Sequence, residues 1–66
     1  MLDKSYIQNN YIYSQSGDTL AYIKANYIYE YSSNNCIFWI KDKYIYNYST
    51  NDCEYWIDNT KWIYKM

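Results

Sequence analysis

Short bursts of alternating Ile and aromatic residues, separated by brief polar stretches, run the length of the chain. Tyr-Ile-Tyr stands at 11–13, 27–29 and 44–46, and Trp62-Ile63-Tyr64 follows as a fourth copy. An aromatic-Ile pair comes after each of the first three, at Tyr22-Ile23, Trp39-Ile40 and Trp56-Ile57. Tyr, Ile, Trp and Phe favour strands, and these runs are too short to hold a helix. The polar stretches supply turns, because Ser, Asn and Asp side chains bond their own backbone. Longer loops are expected at "SQSGD", "SSNN" and "STND". Two-residue hairpins are expected at Asn9-Asn10, Ala25-Asn26, Asp42-Lys43 and Asn59-Thr60, since Asn and Asp tolerate the left-handed backbone of such turns. The pattern predicts an all-β fold of eight short antiparallel strands in a meander. No Pro interrupts any of them.

Alternate residues of a strand point to opposite faces. Ile12, Ile28, Ile45 and Ile63 therefore oppose their flanking aromatics, and Ile7, Ile23, Ile40 and Ile57 alternate in the same way. These eight Ile, with Ala21, Phe38 and Tyr55 beside them, form the expected core. The opposite face carries Tyr11, Tyr13, Tyr27, Tyr29, Tyr31, Tyr44, Tyr46, Tyr48, Trp62 and Tyr64, joined by Tyr6, Tyr22, Trp39 and Trp56. Period-2 alternation does not by itself say which face is inside. The reverse arrangement, with the aromatic face curled inward, remains open at this point.

The bursts also have a phase. The fourth Tyr-Ile-Tyr-like run has no aromatic-Ile pair after it, and the missing pair stands at the other end of the chain as Tyr6-Ile7. A ring accounts for this offset: the N-terminal strand pairs with the C-terminal strand and completes a fourth unit. An open array would expose two unpaired edges, which invite aggregation; closure removes them, as when both termini complete a propeller blade. The expected architecture is a closed four-fold meander. With its hairpin repeated around a ring and its split termini, the sequence resembles the small bacterial and phage proteins described as four-fold β-flowers. The resemblance covers almost the whole chain and implies a fold, but no catalytic or ligand residues.

Composition narrows the functional classes. The 66 residues make one domain, 1–66, and a domain of this size buries only about 60% of its unfolded surface. Asn, Ile, Lys and Tyr account for 35 residues, a bias that suggests AT-rich coding, as in low-GC bacteria or their phages. With no His and two separated cysteines, no metal site or cofactor is expected. The net charge of −1 and the absence of Arg argue against a nucleic-acid binder. Neither a secretory signal nor an apolar run long enough for a membrane-spanning helix is apparent, so a cytoplasmic protein is expected. Cys36 and Cys53 then read as reduced structural thiols, a disulfide between them being the alternative. The Asp52-Cys53-Glu54 cluster is a poor nucleophile site, because acidic neighbours oppose thiolate formation. No enzyme is expected.

Binding is the better reading. Tyr and Trp offer large rigid contact area with a polar handle. The expected binding face comprises Tyr11, Tyr13, Tyr27, Tyr29, Tyr44, Tyr46, Trp39, Trp56, Trp62 and Tyr64. It would serve a small protein-interaction module or inhibitor, one phage-encoded and directed at a host protein being a case that fits. Self-association as a C2 homodimer is the expected way to cover part of such a face. The alternative is small-molecule capture, with a nucleotide, sugar or quaternary ammonium stacked between rings. Lys24, Lys41, Lys43, Lys61 and Lys65 would then meet phosphates, unless they only keep the sheet soluble.

Overall fold

The structure, a computed structural model, describes residues 1–66. Its strands are β1 (Ser5–Gln8), β2 (Tyr11–Tyr13), β3 (Thr19–Lys24), β4 (Tyr27–Glu30), β5 (Cys36–Lys41), β6 (Tyr44–Asn47), β7 (Cys53–Ile57) and β8 (Trp62–Lys65). Each strand pairs antiparallel with its neighbour in sequence, and β1 also pairs with β8, which closes the sheet into a barrel. The closing ladder sets Ser5 opposite Ile63 and Tyr6 opposite Trp62. Backbone bonds from Lys4 N–H to the Ile63 carbonyl (2.7 Å) and from Ile7 N–H to the Lys61 carbonyl (3.0 Å) extend it at both ends. Closure thus leaves no free sheet edge, as the phase of the sequence pattern predicts.

Left-handed backbone at the hairpins follows the turn residues. Asn9 and Asn10 (φ 53° and 67°) and Ala25 and Asn26 (52° and 69°) have positive φ at both central positions, as type I′ turns require. Ala25 holds this conformation without the side-chain amide that helps Asn tolerate it. The last hairpin differs from the expected Asn59-Thr60 pair, because its connection spans Asp58–Lys61. Asp58 causes the lengthening. Its Oδ1 accepts from Thr60 N–H (2.9 Å), Thr60 Oγ1 (2.7 Å) and Trp62 N–H (3.0 Å), winding the chain around one carboxylate.

The three longer loops lie at the opposite end, over residues 14–18, 31–35 and 48–52. Gly17, Asn34 and Asn51 supply their left-handed positions (φ 94°, 61° and 63°). Tyr31 and Tyr48 begin loops rather than extend strands, and their N–H groups donate to Leu20 and Ile37 carbonyls. Those acceptors sit at register shifts: pairing slips between Ile12 and Tyr13, Ile28 and Tyr29, and Ile45 and Tyr46. Each shift leaves an additional residue on the longer strand, namely Leu20, Ile37 or Glu54. Bulges bend and twist a strand locally, which helps so short a sheet curl closed.

One side chain per strand makes the central buried layer: Ser5, Ile12, Ala21, Ile28, Phe38, Ile45, Tyr55 and Ile63. The Ile face is therefore the inside, which excludes the reverse arrangement. Four Ile come from the Tyr-Ile-Tyr-like strands, and the intervening strands contribute residues of unequal size. In strand order, Ser5 stands four places from Phe38, and Ala21 four places from Tyr55. Around an eight-membered ring, each small residue thus faces a large one, which lets the two rings meet across the middle. Phe38 and Tyr55 pack edge to face, with centroids 5.6 Å apart and planes at 85°.

The core differs from the expected one in two respects. Ile7, Ile23 and Ile40 are only half-buried, and Ile57 alone of that set is buried. They form a second layer toward the tight turns, paired across strands with Ile12, Ile28, Ile45 and Ile63. Conversely, Leu2 and Ser5 are buried core residues that no alternation marked. Leu2 precedes β1, and its N–H donates to the Tyr55 hydroxyl at 3.4 Å.

Candidate functional site

Turning Ile inward sends the flanking aromatics outward, and the ladders arrange them in oblique rows of three. Tyr11 lies opposite Tyr22, which lies opposite Tyr29; Tyr27, Trp39 and Tyr46 form the next row. Tyr44, Trp56 and Tyr64 form the third, and Trp62, Tyr6 and Tyr13 complete the circuit across the closing ladder. All ten residues expected on the binding face lie on this outer surface, together with Tyr6 and Tyr22. The belt runs around the barrel as four sectors rather than forming one flat patch.

Within each row, ring pairs hold two of the three rings, and all three in the Trp62–Tyr6–Tyr13 row. Trp39 and Tyr46 lie parallel with centroids 4.2 Å apart, and Tyr22 and Tyr29 do so at 5.2 Å. Trp56 and Tyr64 (5.3 Å), Tyr6 and Tyr13 (5.6 Å) and Tyr6 and Trp62 (5.0 Å) are tilted pairs. Cross-strand aromatic pairs of this kind stabilise a sheet by roughly 0.2–1 kcal/mol each, so the belt contributes to folding as well as presenting surface. Two rows are further tied to the loops: Tyr22 Oη donates to Asn34 Oδ1 (3.1 Å), and Trp39 Nε1 donates to Asn51 Oδ1 (3.2 Å).

Exposure is uneven. Tyr13, Tyr29, Tyr46, Tyr64, Trp39 and Trp62 are half-buried beside their partners, whereas Tyr11, Tyr27, Tyr44, Trp56, Tyr31 and Tyr48 are 40–54% exposed. Tyr48 folds back from its loop to pack edge-on against Tyr27, centroids 6.1 Å apart. Beside the Tyr27–Trp39 pair this leaves a shallow groove of ≈ 310 Å³, lined by those rings, Tyr48 and Asn51. The corresponding groove beside Tyr44 and Trp56 is larger, ≈ 500 Å³, with Lys43 and Lys65 among its lining residues and Asp58 and Asn59 near the turn.

The lysines divide between the two ends. Lys24, Lys41, Lys43 and Lys61 lie toward the tight turns, whereas Lys65 lies at the loop end, and all five are exposed. They do not form one cluster. Lys43 Nζ donates to Asn59 Oδ1, joining two adjacent turns. The Asp58 carboxyl is held below its ordinary range, chiefly by the Thr60 hydroxyl bond, with the Trp62 and Thr60 amides and the Lys43 charge adding to it.

Cys36 and Cys53 are free and half-buried, and each thiol points at the backbone carbonyl two residues on, of Phe38 and Tyr55 respectively, at 3.7 Å. Burial pushes the Cys36 thiol up, which lowers its thiolate fraction and nucleophilicity. No group of three or more His, Cys, Asp or Glu side chains gathers into a metal-ligand set. No protein-family model, curated protein or solved structure gives a significant match to this chain.

Proposed function

We propose that the protein is a non-enzymatic interaction module whose outer aromatic belt docks on a partner protein. The observation that carries this reading is the belt itself: four rows of three rings, each row holding a stacked or tilted pair, with Tyr11, Tyr27, Tyr44 and Trp56 exposed in three of the rows. Pre-stacked rings lose little conformational freedom on binding, and interface hot spots are rich in Tyr and Trp. Contiguous apolar surface of more than a few hundred Å² marks interaction sites. A membrane is a poor partner for such a belt. Strands of three to six residues reach about 10–20 Å, short of a ~30 Å hydrocarbon core. A second copy of the chain, docking through one sector about a two-fold axis, is the simplest occupant, and a host protein met by a phage-encoded inhibitor is the heterologous counterpart.

The two most exposed rings of the belt provide the test. Changing Tyr27 and Tyr44 together to Ser removes apolar surface but leaves the Trp39–Tyr46 stack and the Ile interior in place. The double variant should keep its sheet by circular dichroism, yet lose self-association by light scattering or retention of a partner from lysate. A folded double variant of unchanged mass and unchanged partner retention would refute the proposal.

A second reading is favoured by the larger groove, where Tyr44 and Trp56 present rings and Lys43 and Lys65 present positive charge. That combination suits a planar ring bearing an anion, such as a nucleoside phosphate. Saturable quenching of Trp fluorescence by nucleoside monophosphates, lost in Trp56→Leu or Lys65→Gln, would support it. The absence of any saturable change would remove it.

A further inference from the structure

The barrel has two mouths, and the chain closes only one of them. At the loop end Leu2 is completely buried in the core cluster, against which the half-buried Leu20 and Ile37 also pack. The backbone that carries Leu2 is held as firmly as its side chain. The Leu2 N–H donates to the Tyr55 hydroxyl (3.4 Å), and its carbonyl accepts from Ser5 Oγ (2.5 Å) and Ser5 N–H (3.1 Å). A branched aliphatic side chain on a hydrogen-bonded peptide is this barrel's own solution for covering a mouth.

At the turn end, Ile7, Ile23, Ile40 and Ile57 floor a depression of ≈ 370 Å³, and Asn10, Asp42, Lys43, Asp58, Asn59 and Lys61 line its rim. The floor is built from branched aliphatic side chains. It offers no aromatic platform for a planar ring, and no buried side-chain polar atom lacks a partner, so no polar group is called for at its base. The rim is different. Lys43 and the Asp58 Oδ1 atom are engaged within and between their turns, whereas no hydrogen bond within the chain occupies the side chains of Asn10, Asp42 or Lys61. Two carboxylates and two ammonium groups balance in charge, which suits the neutral dipole of a peptide better than a net ion.

We propose that this mouth is a socket for a branched aliphatic side chain, Leu or Ile, carried on an exposed segment of a partner polypeptide. The side chain seats on the four Ile as Leu2 does on the core at the opposite end. The backbone N–H and C=O of the inserted residue meet Asp42, Asn10 and Lys61, as those of Leu2 meet Tyr55 and Ser5. This socket adjoins the Tyr44–Trp56 groove and shares Lys43, Ile57, Asp58 and Asn59 with it, but its floor of four Ile contains none of the belt's rings, so either proposal can fail without the other.

The Ile methyl groups are built-in reporters. Protein labelled at Ile δ1 methyls is titrated with N-acetyl-leucinamide, N-acetyl-glycinamide and free leucine. Expected are saturable shifts at Ile7, Ile23, Ile40 and Ile57, with Ile12, Ile28, Ile45 and Ile63 nearly fixed. Binding of the glycine amide should be weaker by about tenfold or more, the loss expected for an aliphatic side chain that is no longer buried. Ile23→Thr combined with Ile40→Thr should abolish saturation, and Tyr27→Ser with Tyr44→Ser should leave it unchanged. No saturable shift at the four mouth methyls of the unmodified protein overturns the proposal, whether or not the Thr variant folds. Tighter binding of free leucine than of its blocked amide also overturns it, by assigning the mouth to a small zwitterion in place of a polypeptide.

Discussion

The two mouths of this barrel begin from the same construction and end differently. At each, strands deliver apolar side chains beyond the central layer: Leu20 and Ile37 toward the loops, and Ile7, Ile23, Ile40 and Ile57 toward the tight turns. At the loop end the chain adds Leu2, which is itself fully buried over the central layer, while Leu20 and Ile37 stay half-buried. At the turn end the hairpins reverse within two to four residues, too few to fold a side chain back over the opening. Three of the four Ile there stay half-exposed. The contrast teaches that closing the sheet and sealing the core are separate tasks. Hydrogen-bond ladders accomplish the first, and the second requires a segment that belongs to no strand.

Removing the sealed end altogether should produce the largest effect. Deleting residues 1–8 takes away Leu2, the whole of β1 and its ladders with β2 and β8. The truncated chain should unfold or aggregate, with loss of the cooperative melt in circular dichroism. A soluble monomer that melts at an unchanged temperature would show that closure contributes nothing to stability.

Next comes a matched pair of truncations. Leu2→Ala at the sealed mouth should cost about 2–5 kcal/mol, the range for a buried leucine whose site cannot collapse. Ile23→Ala at the open mouth should cost clearly less, because that side chain is already half in water. Chemical denaturation of both variants measures the difference directly. Equal losses would mean that the mouths are energetically alike. A smaller loss, about 1 kcal/mol, is expected for Tyr55→Phe, which keeps the ring against Phe38 but removes the hydroxyl that accepts the Leu2 amide.

At the open mouth a gain is available. Ala25 sits at φ 52° with no side-chain group to stabilise that conformation. Ala25→Gly should therefore raise stability by up to about 1 kcal/mol, read as an upward shift in melting temperature. Asn9→Gly, at a residue already suited to the same backbone, should change little.

The smallest effect is a pH dependence at the last turn. The folded state holds the Asp58 carboxyl below its ordinary value of 3.8, so the unfolded chain takes up a proton first as pH falls. The stabilisation is complete above the ordinary carboxylate range and is lost as pH drops through the lower, folded value. Unfolding midpoints between about pH 5 and pH 2 should fall less steeply in Asp58→Asn, whose Oδ1 still accepts from the turn but does not titrate. An identical slope in both proteins would show that this carboxylate is not linked to folding.

Alternation alone was enough to divide the chain into strands and faces. Ile12, Ile28, Ile45 and Ile63 are fully buried, their flanking aromatics point outward, and Tyr6-Ile7 meets the C-terminal strand. Each of these follows from the period of two and from the phase of the repeated tripeptide. The last turn exceeds the expected Asn59-Thr60 pair because the Asp58 carboxylate gathers three donors and lengthens the connection. Leu2 was missed because it precedes the first alternating run and has no apolar partner two residues away. Of the candidate site, the membership of the aromatic belt was legible and its division into four rows was not, since a row depends on the register between strands.

Local sequence, then, determined which residues could be strands, which could turn and which of their faces were alike. Tertiary structure alone decided which face went inside, because curling a sheet of short strands makes one side concave. Eight side chains, half of them Ile and two as small as Ser5 and Ala21, fit that side, whereas twelve Tyr and Trp rings fit only the longer convex circumference. It also decided that Leu2 would seal one mouth and that nothing in the chain would seal the other. That outcome depends on where a segment without regular structure meets the closed barrel, a distance in space that no periodicity along the chain encodes.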